Sequence, residues 1–236
     1  GWQPVQCAVS AAGLAAWRLF QAQDLVLPAW VDSVHHTLIV RVIMENGGVP
    51  QTLAPYLPVD FSYHYGFHIL AALFAGITQV EPAAAMIWFG QILNAAVALT
   101  VYRLGMEIWG DWRRAVLAAL LVGFGFQMPA YYLTWGRYTL ITGLVVLPLA
   151  MAALLRLSRH PRDSSAWASA VVLTTGVALS HYTTLLLLGF FTIILVLVRW
   201  LERPQPDESG RTPSRWHGTW QPAGAATAGV LIAAPW

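Results

Sequence analysis

The sequence predicts an all-α protein built as a polytopic bundle of membrane-crossing helices, and three observations lead there. Hydrophobic residues make up 57% of the chain and charged ones only 10%, with a mean hydropathy of +0.57, whereas roughly a quarter of an ordinary soluble domain is charged. The apolar residues form long runs rich in Leu, Ala, Val and Ile, without the two-residue alternation of a barrel strand. A backbone inside lipid must then satisfy its own N–H and C=O groups as helix. The basic residues, all Arg, are clustered. Arg103, Arg113 and Arg114, then Arg156, Arg159 and Arg162, then Arg199, Arg203, Arg211 and Arg215 occupy three loops that the positive-inside rule assigns to the cytoplasm. A net charge of +2 gives no footprint for nucleic acid, and the single Cys7 excludes an internal disulfide.

Residues 5–20 are apolar apart from Gln6, Ser10 and Arg18 and fall short of the ~20 residues that a span requires. They are expected to be a first span that lacks its start. Because the chain opens at Gly1 and ends at Trp236, just after an apolar run begins at Ala223, it is expected to be part of a longer protein. Residues 33–46 predict a helix with Thr37, Arg41 and Glu45 in one polar stripe. Gly47-Gly48 ends it and Pro50 prevents a quick restart. It is too short and too polar to span, so an interfacial helix is expected. Residues 67–80 are apolar but brief; Glu81-Pro82 separates them from a longer run over 83–102. Further runs cover 115–129, 140–155, 167–179 and 182–198.

With the Arg loops inside, the turns at 131–137 and at His181 face outward, and so does Glu81-Pro82. The expected organisation is one membrane domain over 1–236. Residues 21–81 form an outer-face region with two juxtamembrane helices, 33–46 and roughly 64–79, and residues 203–222 form a cytoplasmic loop.

The polar interval 30–68 concentrates the chemistry: Asp32, His35, His36, Asp60, His64 and His68. Asp32 suits a helix cap accepting from the His35 N–H, worth about 1 kcal/mol, a role compatible with catalysis. His64 and His68 are four residues apart, the spacing that places two imidazoles on one helix face, and with His35 and His36 they offer ligands for a divalent cation. H-E-x-x-H is absent, and hydrogen bonding in a wet vestibule is the preferred role. Arg137, beside Trp135 and Tyr138, suits either an interfacial anchor within an aromatic belt or an anion clamp. His181 interrupts an apolar stretch, and an ionisable group so placed is functional by default.

The segments W-V-D-S (30–33), G-G-V-P (47–50), Y-H-Y-G-F-H (63–68), W-G-R-Y (135–138) and L-S-H-Y-T (179–183), with an acid just past the first span and two juxtamembrane helices, resemble the polytopic C-type (GT-C fold) glycosyltransferases. Protein mannosyltransferases and lipid A aminoarabinose transferases belong to this group. The resemblance implies inverting transfer of a sugar from a polyisoprenyl-phosphate donor to a glycan, lipid or protein acceptor at the outer face of a prokaryotic cell membrane. Asp32 would be the general base and Arg137 the phosphate clamp, with His35, His36, His64, His68, Trp135, Tyr138 and His181 lining the substrates. No cofactor is required, a divalent cation being the one compatible with the site. Asp32 is followed by Ser33 where these enzymes often carry a second acid, which leaves Asp60 as the alternative partner. A lipid or small-molecule transporter or flippase is the competing reading, although the inverted repeat common in transporters is not visible. A haem-handling protein would suit outward His and Trp, but C-x-x-C-H is absent.

Overall fold

The computed structural model describes residues 3–202 and 215–234, and the regular elements among them are helices. The elements are α1 (Gln3–Gln21), α2 (Val31–Asn46), α3 (Gly66–Thr78), α4 (Pro82–Trp109), α5 (Trp112–Leu120) continued by a π segment (Leu121–Gly125), α6 (Tyr131–Thr134), α7 (Tyr138–Arg159), α8 (Ser164–Ser180), α9 (Tyr182–Leu201) and α10 (Arg215–Ala233). Among the described residues β pairing is confined to an isolated bridge between Thr52 and Asp60.

Among the described residues three helices, α4, α7 and α9, are long and apolar enough to cross a membrane. On α9 the side chains of Leu186, Phe190, Ile193, Ile194 and Leu197 are exposed, an apolar face of a kind that water does not favour and lipid does. With 13 residues, α3 measures about 20 Å at 1.5 Å per residue, short of a ~30 Å hydrocarbon core. The α2 helix, with 16 residues, carries Arg41 and Glu45 and ends at Gly47, whose N–H bonds back to Ile43.

Packing centres on α7. Its first half joins a core of Val40, Phe67, Met86, Tyr138 and Ile141 drawn from α2, α3, α4 and α7. Its second half joins Leu154, Leu157, Ala170, Val177, Leu188 and Ala225, which link α7 to α8, α9 and α10. Leu14, Ala95 and Ala98 tie α1 to α4.

The Arg-bearing helix ends gather at one end of this bundle. Arg159 Nη1 donates to the Glu107 carbonyl at 2.6 Å and pairs with its carboxylate at 3.2 Å. Arg103 reaches the same carboxylate at 3.3 Å, and Arg199 Nε donates to Ser158 Oγ at 3.1 Å. This convergence is what the loop assignments require. Arg203 and Arg211 lie outside the described residues.

Two expectations need correction. The apolar run 115–129 is helical only in part: α5 passes into the π segment, which ends at Gly125. Gly123, Gly125 and Pro129 weaken helix there, and Arg18 binds the Gly123 carbonyl. The loop expected over 203–222 is helical from Arg215, despite Pro222, because α10 packs along α8 and tertiary packing outweighs local propensity; residues 203–214 lie outside the described residues.

The α8–α10 contact depends on Gly229. A Cβ there would stand 2.7 Å from the Val171 carbonyl oxygen, too close for backbone to yield. Gly229→Val is expected to lower stability by about 1–3 kcal/mol, read as a reduced Tm of the detergent-purified protein. An unchanged Tm would show that α10 does not pack on α8 as described.

Candidate functional site

At the end of the bundle opposite the Arg-rich loops, four segments meet: the starts of α2, α3 and α7, and the α8–α9 junction. The α2 helix begins after Trp30, whose φ of 74° is a conformation rare for a bulky residue and costs of order 1–3 kcal/mol. Asp32 then falls in the first helical turn. It does not cap α2, since Trp30 occupies the N-cap position without a side-chain hydrogen bond. Its carboxylate instead lies 3.7 Å from Arg137 Nη1, with both side chains about half exposed.

Gly136 makes that pairing geometrically possible. Its φ of +66° suits only glycine, and an added Cβ would sit 2.9 Å from Ser33 Oγ and 3.1 Å from the Ser33 nitrogen. The turn before α7 therefore rests directly on the first turn of α2, and the next residue is Arg137. Ser33 donates its hydroxyl to the Ala29 carbonyl and is hydrogen-bonded to Tyr138, so the loop before α2 and the start of α7 share one polar side chain.

Behind the ion pair lies a buried histidine pair. His36 Nδ1 and His68 Nε2 are 2.9 Å apart, and His68 Nδ1 is 3.0 Å from the His64 carbonyl oxygen. A carbonyl can only accept, so His68 carries its proton on Nδ1 and accepts at Nε2 from His36. Both rings are buried. Burial is the leading cause that pushes His36 down to about 4, against the opposing pull of Asp32. Burial, and then His36, lower His68 well below the usual histidine range. The pair is neutral at neutral pH.

His181 closes the other side. Its Nδ1 accepts the Thr183 N–H at 3.1 Å and so caps α9, which leaves Nε2 to carry the proton in the neutral ring. Burial, followed by His64 and Arg137, pushes it down to about 4. Its ring centroid is 5.3 Å from that of His64 and 4.6 Å from that of Tyr182.

The structure thus unites Asp32, His36, His64, His68, Arg137, Tyr138 and His181. His35 and Trp135 stand apart. His35 is exposed, and Trp135 packs edge-on against Tyr131. Asp60 is exposed, in the bridge with Thr52. The cation site suggested by the histidine spacing is not assembled: among the described residues no three His, Cys, Asp or Glu side chains converge, and both nitrogens of His68 are already engaged. The contacts of Ser33 and Gly136 escaped the sequence reading, for the residue types carry no signal without the fold. So did a cavity of about 490 Å³ whose lining includes Arg18, Gln91, Asn94 and Tyr138, but not Asp32, Arg137 or His181.

The depressed histidines set a pH dependence. Between about 6.5 and about 4 the unfolded chain binds protons that His36, His68 and His181 refuse, so stability is intact above this window and falls as pH drops through it. Thermal melts across the window should show a progressive loss of Tm; a flat profile would mean the rings are solvated and not packed as described.

No curated protein and no solved structure matches the chain. A family model described as a family of unknown function, DUF6541, matches residues 2–236, and the chain belongs to that family.

Proposed function

We propose that this protein is a membrane glycosyltransferase that moves a sugar from a polyisoprenyl-phosphate donor to a hydroxyl or amine acceptor at the outer membrane face. The observation that supports the reading best is the juxtaposition of Asp32 and Arg137, a carboxylate and a guanidinium brought from α2 and α7 to one exposed rim above helices of spanning length.

The roles follow from what each group can do. An acceptor hydroxyl attacks the sugar carbon from the face opposite the phosphate, and its proton passes to the Asp32 carboxylate. The bond from that carbon to the phosphate oxygen breaks, and its electron pair leaves with the lipid phosphate. Configuration inverts. At 3.7 Å and half exposed, the Asp32–Arg137 pair belongs to a class worth at most about 1 kcal/mol, so Arg137 is free to turn to an entering phosphate, where a bidentate contact is stronger. Neutral His181 has Nε2–H to offer the same oxygens. The His36–His68 pair, neutral and hydrogen-bonded ring to ring, holds α2 against α3 and does not compete for the proton. The short α2 and α3 helices rest at the outer surface in this reading, and the face of α9 and the bundle beside it accept the prenyl tail.

Asp32→Asn tests the assignment. With a radiolabelled polyisoprenyl-phosphate sugar, the variant should lose about 10²–10⁴ of the transfer rate while keeping its Tm and membrane insertion. Transfer at the wild-type rate would remove Asp32 from the mechanism, and translocation of the labelled lipid without transfer by the wild-type protein would favour a flippase.

A further inference from the structure

The cavity between α1, α4 and the π segment contains two buried polar side chains that the protein leaves unfinished. Arg18, in the last turn of α1, is 6% exposed. Its Nη1 donates to Gln21 Oε1 at 3.0 Å and its Nη2 to the Gly123 carbonyl, while its buried Nε has no partner. Arg18 forms no ion pair with any described carboxylate. Asn94, 4% exposed, directs Nδ2 at Gln91 Oε1 3.4 Å away and leaves Oδ1 buried without a partner. Both side chains line the same cavity of about 490 Å³.

A guanidinium withdrawn from water is costly unless a negative charge and hydrogen-bond acceptors replace the water. Here the replacements are two neutral oxygens and the negative end of the α1 dipole, which amounts to partial charge only. The π segment contributes to this arrangement: the Phe126 N–H bonds to the Leu121 carbonyl at 2.8 Å, five residues back, and the widened turn carries the Gly123 carbonyl that Arg18 binds. Such single-turn π segments are frequent at functional sites.

We propose that this cavity binds the phosphomonoester head of an anionic amphiphile, with Arg18 and Asn94 as the recognition pair. Arg18 Nε–H requires an acceptor, best a charged one, and Asn94 Oδ1 requires a donor. A phosphomonoester monoanion has both on one phosphorus: unprotonated oxygens for the guanidinium and a P–OH for the amide. A phosphodiester, a sulfate or a carboxylate ion supplies the acceptor but not the hydroxyl. The apolar part of the ligand is suited by Trp17, Leu25, Phe124 and Phe126, which line the same cavity and are themselves exposed. Asp32 and Arg137 are absent from the lining, so the site stands independently of the transfer chemistry proposed for them.

The test uses the full chain in phosphatidylcholine nanodiscs, titrated with phosphatidic acid, with phosphatidylmethanol as an anionic diester whose head carries no hydroxyl, and with inorganic phosphate. Retention is counted by native mass spectrometry and stabilisation is read as Tm. Wild-type protein should retain phosphatidic acid and gain Tm, with phosphatidylmethanol weaker by about tenfold. Arg18→Met should weaken phosphatidic acid retention by about tenfold or more. It should also raise the Tm of the lipid-free protein or leave it unchanged, since an apolar chain of similar length replaces an uncompensated charge. Asn94→Leu should still bind the anion but lose the preference for monoester over diester, which decides the matter if Arg18→Met does not fold. Unchanged retention in Arg18→Met, with Tm lowered equally in the presence and absence of phosphatidic acid, would reduce Arg18 to a clamp on Gly123 and overturn the proposal. Equal retention of the two lipids by wild type would overturn the monoester assignment, and an equal Tm gain from inorganic phosphate alone would overturn the amphiphile.

Discussion

The contact on which the rest of the site depends is the seating of Gly136 on the first turn of α2. Nothing larger than a hydrogen fits there, with Ser33 Oγ and nitrogen and Asp32 Cβ all within 3.2 Å of where a Cβ would stand. Three consequences follow along the chain. Arg137 is delivered to Asp32, Tyr138 is turned inward to stack on Phe67 at 5.2 Å between centroids, and α7 starts at the depth from which it can join both cores. Because close-packed interiors transmit small displacements, the position of the exposed ion pair is fixed by the buried side of the same turn.

The titratable groups divide sharply by environment. Asp32 and Arg137 are half exposed and face one another; His36, His68 and His181 are buried and held neutral. Ordinary carboxylates and guanidinium groups stay charged in water, while an imidazole in a dry interior gives up its proton and survives on hydrogen bonds. The result is a rim with mobile charge mounted on an interior whose polar groups donate and accept without net charge. In the proposed reaction a carboxylate that accepts a proton and a cation that reaches an anion gain from being at the rim, whereas rings that tie α2 to α3 gain from being sealed.

Much of this was legible in the sequence, and the reasons differ from element to element. The length of α4, α7 and α9 suits a lipid span, and their starts were visible within two residues, although α4 runs on to Trp109, seven residues past the apolar run that ended at residue 102. Gly47-Gly48 stopped α2 where expected, and the alternation of Arg loops anticipated that Arg103, Arg159 and Arg199 would gather at one end. Asp32, Arg137, His64 and His181 stood out because polar residues are rare in so apolar a chain. What stayed hidden depends on pairing across distance. The spacing of His64 and His68 suggested a shared cation, yet His68 turned to His36 on another helix and left His64 to face His181. Within the apolar run 115–129 the glycines weakened the helix locally, but nothing local announces that Arg18, more than a hundred residues earlier, will bind the Gly123 carbonyl.

Tyr138 is where the two polar regions of the molecule come nearest to sharing a wall. One side of its surroundings holds Ser33 and the histidine pair; the other is the lining of the Arg18 cavity. Because the ring is nearly fully buried and packed against Phe67, it separates the two volumes with apolar surface and cannot easily swing aside. Arg137 and Arg18 therefore sit in different electrostatic settings. The first has a carboxylate partner and water, so it can exchange one anion for another at small cost. The second has only neutral oxygens around it, so any negative charge that reaches it meets no competitor within the protein. The fold thus gives one guanidinium a replaceable partner at an exposed rim and another no charged partner among the described residues, in a cavity that does not include the first.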